Sequence, residues 1–210
     1  MRQLATASAF FLGILATAQS KPAESTDPND QRRFEFTIKG VVKDTVYLAN
    51  YYGNKLMYND TAVADAKGKV VFAKKRGYRA GVYAVVIPGP RYFEFLANEP
   101  LVVMSSDTTD LGGKLAIEKS EENRIFLDYV RYINTQRKEA DAVHKEREAT
   151  DDPIKKSALK ERLVGYEKAI RAYQTDLVAK HPGTYVAMIV KMSMSPEEQE
   201  VRKADGSLDS

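Results

Sequence analysis

The sequence predicts an α+β protein, an antiparallel β-sandwich or open barrel followed by a long helical hairpin. Two observations carry this. From Phe34 to Ile117, short runs rich in Val, Phe and Tyr, several with apolar and polar residues alternating, are cut by glycine and proline turns. From Ser120 the apolar spacing switches to that of a helix, over two stretches of about thirty residues each. The resulting organisation is a signal peptide at 1–18, a flexible leader at 19–33, a β-domain at 34–117, a helical hairpin with a short extra helix at 118–195, and an unfinished polar tail at 196–210.

The first eighteen residues have the parts of an export signal. Arg2 supplies the positive end, Leu4 to Leu15 the short apolar run, and Ala16-Thr17-Ala18 the small-x-small site before a cut at Gln19. The run is too short for a membrane span. Cleavage then leaves a soluble protein of the periplasm or cell envelope, with no membrane association. The chain has no cysteine, so the mature N-terminus cannot be a lipoprotein. The leader from Gln19 is polar and broken by Pro22 and Pro28.

In the β-domain, Phe34, Phe36 and Ile38 alternate with Glu35, Thr37 and Lys39, which sends one face to a core and the other to water. Thr45 to Tyr52 forms a second strand, Gly53-Asn54 turns it, and Lys55 to Tyr58 and Asp60 to Ala64 follow as two more. Asp65-Ala66-Lys67-Gly68 reads as a hairpin turn between Thr61-Ala62-Val63 and Val70-Val71-Phe72. Gly81 to Pro88 is apolar throughout, as a strand buried on both faces is. Pro88-Gly89-Pro90 turns the chain into Arg91 to Ala97, with Phe93 and Phe95 on one side and Tyr92, Glu94 and Leu96 on the other. Leu101 to Met104 and Lys114 to Ile117 complete roughly eight strands, a pattern that suits a sandwich or open barrel.

Ser120 caps the first long helix, with Glu121 and Glu122 in its first turn and Ile125, Phe126, Tyr129, Val130 and Ile133 along its stripe. Asp152 caps the second, with Pro153 at the first helical position and Leu159, Leu163, Tyr166, Ile170, Tyr173 and Leu177 on its inner face. Thr184 caps a short third helix over Tyr185 to Met192. Ser195-Pro196 resembles a further helix start, but the residues after it hold little apolar material.

The charge excludes one class of partner. The 32 basic and 29 acidic residues nearly balance, and nucleic-acid binding needs a concentrated positive patch. Lys74, Lys75, Arg76 and Arg79 read as a solvated turn. No cysteine means no thiol-disulfide exchange by this chain. The two histidines, His144 on a polar helix face and His181 at a helix end, are too few and too far apart for a zinc site. Gly-x-Ser-x-Gly and the glycine-rich phosphate loops are missing from the sequence. Asp107 and Asp110 lack the further spaced oxygen ligands of a calcium loop. A hydrolase built on Asp60 and Asp65 is disfavoured, because Asp65 already has a role as the first residue of its turn. The expectation is therefore no catalytic residue, no metal and no cofactor.

Tyrosine is the residue type in surplus. Tyr51, Tyr52, Tyr58, Tyr78 and Tyr92 flank turns, where they either pack a sheet edge or form a platform for a sugar or peptide. Tyr51, Tyr52, Tyr58 and Tyr92 are the candidate surface for a ligand or partner.

The run Asp60 to Phe72, then Gly81-Val82-Tyr83, Tyr92-Phe93-Glu94-Phe95-Leu96, Asp107-Thr108-Thr109-Asp110-Leu111 and Ser120-Glu121-Glu122-Asn123 with Phe126 and Tyr129 resembles the N-terminal region of exported thioredoxin-like, thiol-disulfide interchange proteins of the bacterial envelope. The resemblance spans about residues 34 to 192. It implies a β-domain of unknown function and a helical segment placed ahead of a thioredoxin-like domain. That redox domain is absent from this chain, which has no Cys-x-x-Cys, and none of the matching positions is catalytic in the family. The implied role is a non-catalytic spacer, docking or dimerisation module, truncated before the redox domain, with a protein partner or self-association. The alternative is a stand-alone periplasmic ligand-binding β-domain that uses its edge tyrosines for glycan or peptide.

Overall fold

The computed structural model describes residues 32–53, 55–74 and 77–194. The predicted signal peptide, almost all of the leader, the helix start at Ser195 and the polar tail lie outside the described residues. Among the described residues no helix is long and apolar enough to cross a membrane.

Eight strands come first: β1 Arg33–Lys39, β2 Thr45–Tyr52, β3 Lys55–Val63, β4 Lys69–Phe72, β5 Val82–Ile87, β6 Arg91–Leu96, β7 Leu101–Asp107 and β8 Ala116–Lys119. They form two four-stranded sheets, ordered β4-β1-β7-β8 and β3-β2-β5-β6, packed face to face as a sandwich with no closed barrel. Phe34, Phe36 and Ile38 of β1, Val46 and Leu48 of β2, and Phe93 and Phe95 of β6 fill the space between them. At its centre Phe95 lies 5.0 Å from Phe34 and 5.1 Å from Phe36 by ring centroid, both edge to face. That arrangement adds to the burial energy, and truncating one such ring to alanine costs about 3–5 kcal/mol.

Three features depart from the pattern read in the sequence. β1 and β7 run parallel, with Arg33 opposite Leu101 and Lys39 opposite Asp107, although every other pair is antiparallel. The two strands expected at 55–58 and 60–64 are one strand, β3. It is bulged at Asn59, since Leu48 faces Asp60 while Ala49 faces Tyr58. The turn at Asp65 to Gly68 forms, but the hairpin does not. Asp65 Oδ1 accepts from the N–H groups of Lys67 at 2.8 Å and Lys69 at 2.9 Å, and Gly68 adopts a φ of +80°. The carbonyl of Gly68 then takes the N–H of Ile38 at 2.9 Å, which ties the turn to β1. β4 consequently pairs with β1, while β3 stays with β2, and the turn is an arch from one sheet to the other.

The helices are α1 Glu121–Glu148, α2 Pro153–Lys180 and α3 Tyr185–Ser193, capped at Ser120, Asp152 and Thr184 as their sequence signals predict. They fold back on the β-domain, where Leu127 of α1 reaches the edge of the sandwich core and a second apolar cluster joins the two parts. Leu96 and Val82, on the outer face of the second sheet, pack with Phe126 and Tyr129 of α1, Leu177 of α2 and Val186 and Val190 of α3. Further along, Val143, Leu159 and Leu163 form a cluster with Ala140 and Tyr166 that contains helix residues only.

Polar groups fix the joint between the two parts. Asn123, 1% exposed, accepts from the Leu96 N–H at 2.7 Å and donates to the Leu96 carbonyl at 2.9 Å. The Glu99 carboxylate accepts from the Ser120 hydroxyl and from the N–H groups of Glu121 and Glu122. A negative charge there suits the positive end of α1. Glu122 does the same for α3, accepting the Val186 N–H at 3.0 Å while its other oxygen takes the Asn98 amide at 2.9 Å.

Candidate functional site: an aromatic face on the second sheet

The helices cover only the Leu96 and Val82 end of the second sheet's outer face. Beyond it, Ala49, Ala84 and Val86 make a small, flat, buried floor, with Leu56 packed beside them. Their position follows from registry. Ala49 faces Ala84 on β5 and Tyr58 on β3, and Val86 faces Tyr92 on β6, so all point the same way.

Tyrosines stand around this floor. Tyr47 and Tyr58 meet edge to face with centroids 5.2 Å apart, and both are exposed. On the other side the Tyr51 hydroxyl donates to the Glu94 carboxylate, and Tyr92 stands one residue pair along β6 from Glu94. Glu94 holds the Tyr51 hydroxyl in its protonated form, raising its pKa well above the usual phenol range, with burial adding to the shift. Tyr51 is therefore held as a hydrogen-bond donor and is not poised as a base, and the rings around it suit hydrogen bonding and ring contact.

Of the four candidate tyrosines the structure brings three together, Tyr51, Tyr58 and Tyr92. Tyr52 is separated from them. It follows Tyr51 directly, so strand alternation turns it to the opposite face, and it is 80% exposed at the strand end. Two members of the face were missed in the sequence, Tyr47 and Glu94. The spacing Tyr47, Ala49, Tyr51 along one strand was the signal that could have found the first. Glu94 gave none, because its partner lies on a strand 43 residues away. Tyr78 is no surface residue: it is buried in the sandwich core 4.9 Å from the Phe34 ring, and its hydroxyl donates to Asp60 at 2.5 Å. Burial first, and then that carboxylate, push its pKa up.

The remaining polar candidates have structural partners. Asp60 takes the Tyr78 hydroxyl and the Thr61 N–H, and Asp65 takes the two turn N–H groups, which lower its pKa. Asp107 accepts the N–H and hydroxyl of Thr109 and faces Lys114 at 3.4 Å, while Asp110 accepts the Gly113 N–H at 2.9 Å. His144 is exposed on α1. His181 forms the C-cap of α2, its N–H donating to Leu177 at 3.1 Å. Lys74 lies 4.6 Å over the Tyr78 ring. Among the described residues no group of His, Cys, Asp and Glu is placed to hold a metal ion.

No family model matches the chain, and no curated protein matches it. Two solved structures share part of its shape. An (S)-allantoin synthase aligns at a TM-score of 0.31 and 9% identity, covering 44% of this chain and 45% of that one. The 5-hydroxyisourate hydrolase of Klebsiella pneumoniae aligns at a TM-score of 0.26 and 9% identity, covering 43% of this chain and 94% of the hydrolase. Likeness at this level carries no conclusion about activity.

Proposed function

We propose that this protein is a non-catalytic docking module of an exported thioredoxin-like envelope protein, with the β-sandwich as the part that meets a protein partner or a second copy. The observation that carries the reading is the half of the second sheet that no described helix covers, where Tyr47, Tyr51, Tyr58 and Tyr92 stand exposed around a buried floor of Ala49, Ala84 and Val86. Exposed tyrosines supply rigid, amphipathic contact area at low entropic cost, and tyrosine is among the residue types enriched at protein interfaces. The helical pair, joined to the sandwich through Asn123, Glu99 and Glu122, is the spacer in this arrangement. The thioredoxin-like context rests on the sequence resemblance alone.

Site-specific photo-cross-linking in the exporting cell tests the docking reading. A photoreactive residue in place of Tyr58 is expected to trap one defined protein, and the same residue in place of Tyr52, on the opposite face, is not. Equal labelling from both positions, or from neither, would discard the reading. The family context has its own check, a reading frame that continues past Ser210 into a Cys-x-x-Cys domain.

A further inference from the structure

The face just described ends at β6, the outermost strand of its sheet, and that edge is incompletely paired. In an antiparallel pair, successive residues alternate between bonding the neighbouring strand and pointing their N–H and C=O groups away from it. Leu96 points away, because both of its backbone groups are bonded by the Asn123 side chain. Glu94 and Tyr92 share its parity and point the same way. Among the described residues no hydrogen-bond partner meets their backbone N–H and C=O groups. Asn123 thus acts as a single peptide unit of a missing neighbour strand, and two residues of β6 beyond it remain open.

Space for such a strand is present. A cavity of about 710 Å³ lies between the β6 edge, β8 and α1, within the size range of ligand pockets. Phe93, Met104 and Ile117 line its sandwich side, and Leu127 and Val130 of α1 line the other. Arg131 closes the far wall with its guanidinium bonded to the carbonyl of Leu115 at 2.9 Å. Glu94 stands at the near wall, and among the described residues no cation is bonded to its carboxylate.

We infer that this groove takes an extended peptide segment of the partner protein by strand addition to β6, with backbone bonds to Glu94 and Tyr92, an apolar side chain in the cavity and a basic side chain beside Glu94. The alternation follows from the strand itself. The added residue opposite Glu94 faces outward to its carboxylate and the Tyr92 ring, and the next, opposite Phe93, faces inward. A basic residue there supplies the missing counter-charge and a cation for the Tyr92 ring. The inference rests on the docking reading and specifies how docking occurs.

The test uses acetylated, amidated peptides of about seven residues that alternate lysine with valine, a length suited to strand addition. Titration is followed by amide exchange in the whole protein. The lysine-valine peptide is expected to slow exchange at the Tyr92 and Glu94 amides. N-methylating its alternate amides, which removes the donors, is expected to weaken binding by about tenfold or more. A glutamate-valine peptide, and Glu94→Gln with the original peptide, are each expected to lose about tenfold. Equal binding of the N-methylated or glutamate peptide, no protection at the two amides, or no binding of the lysine-valine peptide would overturn strand addition. With cross-linking at Tyr58 still positive, such a result removes the mode and leaves the docking module. Peptide binding without that cross-link removes the module and leaves the groove.

Discussion

The carboxylate of Glu122, in the first turn of α1, caps α3 by accepting the N–H of Val186, 64 residues further along the chain. One side chain therefore joins the start of α1, the strand connection at Asn98 and the start of α3. Glu122→Ala should cost about 1–2 kcal/mol, the usual cost of a lost helix cap, and Glu122→Gln less because an acceptor remains. Urea unfolding of the two variants checks this. Equal stability of Glu122→Ala and the parent would show that the α3 cap contributes nothing.

Gly68 should tolerate no side chain. Its φ is +80°, and a Cβ there would sit 2.3 Å from the Ile38 carbonyl oxygen, a backbone atom that cannot swing aside. Gly68→Ala should lose roughly 1–3 kcal/mol from the left-handed conformation and the crowding together. Gly165→Ala, on an open face of α2 with nothing within 4 Å, should stabilise by up to about 1 kcal/mol. Thermal melts of the pair give opposite shifts.

Asp107 should make part of the acid limb of the stability curve. Thr109 donates to it through both backbone and hydroxyl, with Lys114 nearby, and its pKa falls from 3.8 to about 2. A carboxyl with a depressed folded pKa stabilises above its unfolded value and loses that contribution as pH falls towards the folded one. Asp107→Asn should therefore show a flatter decline in stability between pH 3.8 and about 2. An unchanged slope would mean that the loop does not sense the charge.

The alkaline limb has the opposite sign. Tyr51 and Tyr78 have raised folded pKa values, so the neutral phenols stabilise below the unfolded value of 10.0 and that contribution fades as pH rises above it. Ultraviolet titration should show these two phenols ionising only as the protein unfolds. Tyr51→Phe should remove one late-ionising group and leave Tyr78 in place.

The helical part was legible almost to the residue, because capping is local: Ser120, Asp152-Pro153 and Thr184 each satisfy N–H groups two or three positions away. Inward and outward faces were also legible in β1 and β6, where period two survives, and the unbroken apolar run of β5 matched its burial on both faces. What alternation could not supply was the neighbour of each strand. Asp65 and Gly68 specify a turn, but the bond from Ile38 to Gly68 decides that the chain leaves β3 for the other sheet. The bulge at Asn59 interrupted the period within β3 and made one strand read as two. The aromatic face was half legible: Tyr51, Tyr58 and Tyr92 could be named, whereas their grouping with Tyr47 and Glu94 needed the register of four strands.

The parallel pairing of β1 with β7 has a consequence for the order of folding. β1 lies in the middle of its sheet, yet its parallel neighbour is encoded only from Leu101 onward. Until that segment exists, the apolar face carried by Phe34, Phe36 and Ile38 has an incomplete sheet behind it. Distant pairings of this kind close slowly, whereas the two helices, built from local contacts, form on a scale of about a microsecond. Local helical contacts are therefore expected to arise ahead of the parallel pairing. The joint at Leu96 and Asn123 needs a strand from one part and a helix from the other, so it cannot close before both are in place.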